Sequence, residues 1–128
     1  ALIEEQIEEL FPKMTLDAEI QNRIFTDFLF ADVLKAIEIR IRSFVHSNLL
    51  KMGFTFSSRR DIEVPEWRKI ILGVEAPDMD FDQKMVIWDK IDAEVRQALR
   101  EVEQRVEGPD KDKIKAINRN LFIRMELP

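Results

Sequence analysis

Cysteine is absent from this 128-residue chain, and so is tyrosine. Without cysteine there is no disulfide and no thiolate metal site, and nothing hints at an oxidising compartment. A single histidine, His46, leaves no zinc cluster and no serine–histidine triad with its sequence context. Glycine is scarce as well. Gly53, Gly73 and Gly108 each fall where an element is expected to end, and none sits in a phosphate-cradling loop. No run of eighteen apolar residues occurs and no basic-then-apolar leader opens the sequence, so the chain reads as soluble and cytoplasmic, with no membrane partner. These absences point to no cofactor and no metal.

Hydrophobic residues make up 45% of the chain, enough for one real core, and residues 1–128 read as a single domain. A net charge of −5 argues against a surface that binds nucleic acid all over. The charge is uneven, however. Residues 39–73 and 111–128 carry an excess of Lys and Arg, while 1–38 and 74–110 are acidic. Such alternating blocks fit helices that pair within one fold, or a local basic face.

Residues 15–51 hold neither Gly nor Pro. Apolar side chains recur there at Ile20, Ile24, Phe28, Leu34, Ile37, Ile41, Phe44 or Val45, and Leu49, one face of a 3.6-residue period. Thr15 is the expected N-cap and Gly53 the expected terminator. Unbroken, this helix would run roughly 54 Å at about 1.5 Å per residue. A compact chain of this size has a diameter of only about 36 Å. The segment therefore breaks near Ala31-Asp32, or belongs to an elongated bundle, or is covered by a second copy. Phe25, Phe30 and Ile39 lie off the main stripe and widen it.

The remainder reads as shorter pieces. Residues 2–11 form an amphipathic helix stopped by Pro12. Residues 53–64 read as a loop with anchoring aromatics Phe54 and Phe56, a short extended pair being the alternative. Pro65 opens a two-turn helix over 66–72. Asp80 and Gln83 have capping-box spacing at the head of a helix over 81–106. Its seam of Trp88, Ile91, Val95, Ala98 or Leu99, and Val102 is narrow and heptad-like, suited to one partner helix. After Gly108-Pro109, Ile114, Ile117, Leu121 and Met125 mark a last helix. The fold expected is all-α, a bundle of four to five helices with two long antiparallel ones, which dimerisation would complete.

Three constellations bear on chemistry. Arg42 and His46 lie one helical turn apart, with Arg40 nearby; a cation beside a proton shuttle suits phosphodiester cleavage. Residues 38–46 resemble the Arg-polar-spacer-His motif of HEPN ribonucleases, with Arg42-Ser43 as its start. Three residues separate Arg42 from His46 where that family has four to six, and Arg40 is followed by Ile41 rather than a polar residue. The resemblance implies an all-helical, often dimeric domain with its active site across the dimer. Asp78, Asp80, Asp82 and Asp89 have EF-hand spacing, but Gln83 replaces the turn glycine, and acids at a helix N-terminus account for them. Lys111, Lys115 and Arg119 can form a phosphate-contacting stripe, with Lys113 and Arg124 beside it.

The function expected is a non-catalytic helical interaction or assembly module that self-associates or takes another helical protein as partner. Phe28, Phe30, Trp67, Trp88, Ile91 and Val95 are its expected interface. The alternatives are a HEPN-like RNA-binding protein or ribonuclease using Arg42 and His46, and a nucleic-acid accessory protein using the basic C-terminal helix.

Overall fold

The computed structural model describes residues 2–12, 14–60 and 68–126. Along the chain come α1 (Leu2–Leu10), β1 (Met14–Leu16), α2 (Ala18–Thr26), α3 (Phe28–Ser47), β2 (Gly53–Arg60), β3 (Arg68–Glu75), α4 (Phe81–Gln104), α5 (Pro109–Asn120) and β4 (Leu121–Met125). The four strands make one mixed sheet in chain order, so the fold is α/β and the all-α expectation is corrected. Strands β1 and β2 run parallel, β2 and β3 antiparallel, and β3 and β4 parallel.

Three segments read as loop or helix are strands, for an identifiable reason. In β2, Phe54 and Phe56 point into the core, and in β3 Ile70, Leu72 and Val74 do the same. Register places Phe54 opposite Val74 and Phe56 opposite Leu72. The contiguous run Ile70-Ile71-Leu72 satisfies a buried strand as well as a helical turn, and its β-branched residues favour the strand. In β4, Leu121, Ile123 and Met125 alternate inward. Leu121 and Met125 are four apart, a spacing shared by period two and by the helical period, which is why the tail read as helix. The two-turn helix expected at 66–72 overlaps β3 from Arg68 onward; Pro65 to Trp67 lie outside the described residues.

The over-long helix is two helices. Thr15, expected as the cap, lies in β1, and the cap is Asp17, whose Oδ1 accepts from the Ile20 amide at 2.8 Å. Its other oxygen, Oδ2, accepts from the Ser58 amide of β2 at 2.8 Å. The break comes at Asp27, earlier than Ala31-Asp32. There the backbone N–H closes α2 on the Arg23 carbonyl while the carboxylate caps α3 at Phe30, 3.1 Å. Helix α3 then lies against α4 and α5, and α2 against β2. Ile20, Ile24, Leu34, Ile37 and Ile41 are all buried within this one chain. Helix length no longer asks for a second copy.

All the inward side chains of the strands point to one face, where α3 and α4 pack together. The other face carries Thr15, Thr55, Ile71, Phe122 and Arg124, with Lys69 Nζ 5.6 Å from the centre of the Phe122 ring. Both two-helix connections, β1 to β2 and β3 to β4, therefore cross the same side of the sheet. They step in the same direction between strands of opposite sense, so the two crossovers are of opposite hand. One is left-handed, against the strong general preference for right-handed crossovers.

Candidate functional site

The C-terminal end of α3 departs from what its local backbone favours. Helix α3 closes on Asn48, and the Leu49 amide donates to the His46 carbonyl (3.3 Å) while the Leu50 amide donates to Val45 (3.0 Å). These two bonds are the Schellman pattern, whose turning residue is usually Gly. Here it is Leu49, at φ 53°. A left-handed conformation costs a residue with a Cβ roughly 1–2 kcal/mol. Leu49 is also 90% exposed, so burial within the chain returns nothing for that strain.

Two hollows flank it. The first, about 480 Å³, runs beneath the C-terminal half of α3 and is walled by Met14, Ile41, Val45, Leu50, Met52 and Phe54, with Glu38, Arg42 and His46 along one side. The second, about 640 Å³, lies between the end of α3 and the start of α4, with Leu50, Met79, Val86 and Ile87 on its apolar side and Lys51, Asp78, Asp82 and Gln83 around it. Leu49 borders both. Val86 and Phe81, more than half exposed, extend the apolar surface along α4.

Glu38 is wholly buried. Its Oε2 accepts from Lys35 Nζ at 2.9 Å, and its Oε1 stands 3.2 Å from Arg42 Nε but accepts no hydrogen bond. Lys35 also donates to the Leu10 carbonyl and lies 5.6 Å from the Phe11 ring centre, tying the end of α1 to α3. Arg42 and His46 thus meet at the rim of the first hollow. Arg40 does not join them, because it reaches across to α4, with Nε 2.9 Å from Glu94 and Nη1 2.7 Å from Glu101.

No protein-family model, curated protein or solved structure matches this chain. Its function has to be read from its own geometry.

The expected interface residues are scattered. Phe28 stands at the start of α3 with 87% of its surface exposed. Phe30 is fully buried, its ring 4.0 Å from the Arg23 guanidinium. Burial lowers the Arg23 pKa, with Asp27 opposing the shift. Ile91 and Val95 are buried in the chain's own core, so their spacing is accounted for without a partner. Trp88 is half-buried and its indole N–H donates to the Ile123 carbonyl at 3.0 Å. Trp67 lies outside the described residues.

Lys111, Lys115 and Arg119 do share a face of α5, since the helix runs through all three. Lys115 stands 3.8 Å from Glu103 of α4, and Lys113 turns toward a separate hollow with Arg23 and Arg68. Of the acids with EF-hand spacing, all but Asp78 belong to the head and body of α4. Asp80 caps α4 in a reciprocal capping box with Gln83, Asp82 sits in its first turn, and Asp89 is well inside the helix. Among the described residues, no three His, Cys, Asp or Glu converge in a way that could hold a metal ion.

Reading the sequence missed Leu49 as a site, because it fits the helical stripe. Asn48 was the available signal, a residue type that commonly ends helices.

Proposed function

We propose that this chain is a non-catalytic interaction module that associates with a second copy of itself through the surface centred on Leu49. The observation that carries the reading is a leucine held in a strained left-handed turn and left 90% exposed. Strain at a non-glycine residue persists where its surroundings over-determine it; the two hydrogen bonds of the turn and the packing of Leu50 do part of that here, and a partner covering Leu49 would add to it. Burying a leucine side chain is worth roughly 1.5–3 kcal/mol, enough to offset that turn. A projecting residue beside a hollow with an apolar side can be self-complementary under a twofold axis: each Leu49 enters the other copy's hollow against Met79, Val86 and Ile87, inside the polar ring of Lys51, Asp78, Asp82 and Gln83.

The nucleic-acid readings draw less support. A mixed sheet stands where a HEPN-like ribonuclease would be all-helical, and on α5 one of the three stripe cations is already matched to Glu103. Sedimentation equilibrium tests the proposal. Self-association weakened by Leu49→Gly supports it, and a wild-type chain that stays monomeric into the high micromolar range overturns it.

A further inference from the structure

The first hollow combines three properties. Its walls are apolar, it is about 480 Å³ in volume, and a cation, Arg42, stands at its rim. That volume lies within the roughly 300–1,000 Å³ typical of small-molecule sites. Arg42 is tethered at the rim by one ion pair, Nε to the buried Glu38, while 48% of its side chain stays exposed. Among the described residues, neither Nη1 nor Nη2 of Arg42 has a protein partner, and the His46 ring has none. Arg42 lines the hollow with both terminal nitrogens open, donors of the kind that can take a carboxylate through two parallel hydrogen bonds.

Charge decides the sign of the ligand. Glu38 faces two cations, Lys35 on the side of α1 and Arg42 on the side of the hollow, so its charge is shared and Arg42 is not fully cancelled by it. Its oxygens are covered, so a ligand entering the hollow meets Arg42 and not a bare carboxylate. We infer that this hollow binds a small amphipathic carboxylate, its apolar body among Met14, Val45, Met52 and Phe54 and its anionic head on Arg42, with His46 beside it. This does not rest on self-association, since it concerns the hollow on the other side of Leu49.

Isothermal titration of the full chain with three eight-carbon probes, octanoate, octanol and octylamine, tests the inference. Octanoate is expected to bind saturably at one site and octylamine not at all. Arg42→Met keeps the apolar stem of an exposed side chain and removes its charge. It is expected to weaken octanoate by about tenfold or more, the effect of losing a charge-assisted hydrogen bond, and to leave octanol unchanged. Octylamine binding as tightly as octanoate, octanoate failing to saturate by millimolar concentration, or equal octanoate affinity in Arg42→Met would each overturn it.

Discussion

Leu49→Gly separates local strain from association. Glycine adopts the left-handed turn without the roughly 1–2 kcal/mol that a Cβ costs there. Against that gain stands the greater freedom of glycine in the unfolded chain, about 0.5–1 kcal/mol. Because Leu49 is 90% exposed, the substitution removes almost no packing within the chain. The monomer is therefore expected to become more stable by about 0.5–1 kcal/mol, which raises Tm by roughly 2–5 °C for a domain of this size. Association moves the other way. A twofold contact loses two leucine anchors, together about 3–6 kcal/mol, so the dimer dissociation constant should rise by roughly two to four orders of magnitude. Urea unfolding at concentrations where the chain is monomeric reads the first effect, because a bound second copy would add its own stabilisation. Sedimentation equilibrium reads the second. A monomer that loses stability, or a dissociation constant that does not move, would refute the reasoning.

Asp17→Ala removes the acceptor for both the Ile20 and Ser58 amides and should cost about 2–3 kcal/mol in urea unfolding, where a cap alone costs roughly 1. Phe28→Glu should leave stability within about 0.5 kcal/mol, since the ring is 87% exposed. It should also leave sedimentation unchanged; disruption of a dimer by this variant would move the interface from Leu49 to the head of α3. Ile91→Ala should destabilise the monomer by about 2–5 kcal/mol, as a core cavity does, and a cost under 1 kcal/mol would contradict its burial.

Much of the helical part of the fold was legible in the sequence. The stripe from Ile20 to Ile41 (Phe28 excepted, which is exposed), the capping box of Asp80 and Gln83, and the inward face of α4 all carry the period that their packing demands. The sheet was not, because strands declare themselves through partners far away in the chain. Ile70 and Leu121 pair across fifty residues, and nothing local to either says so. The positions of Asp17 and Asp27 were hidden for a related reason: both sit in an uninterrupted apolar pattern, and each acts through a backbone amide that periodicity does not describe. At the candidate site, Arg42 and His46 were visible as a pair. The buried Glu38 beneath them and the turn at Leu49 were not, since a charged residue on a helix reads as solvated and a leucine reads as core.

The carboxylate of Asp17 has a further consequence. One oxygen holds the first turn of α2 and the other holds the middle of β2, forty-one residues on. The two bonds end on different oxygens of one side chain, so each limits how far that side chain can turn to release the other. A single side chain thereby pins the start of the early helix to the edge of its neighbouring strand, at a point the ladder between β1 and β2 does not reach.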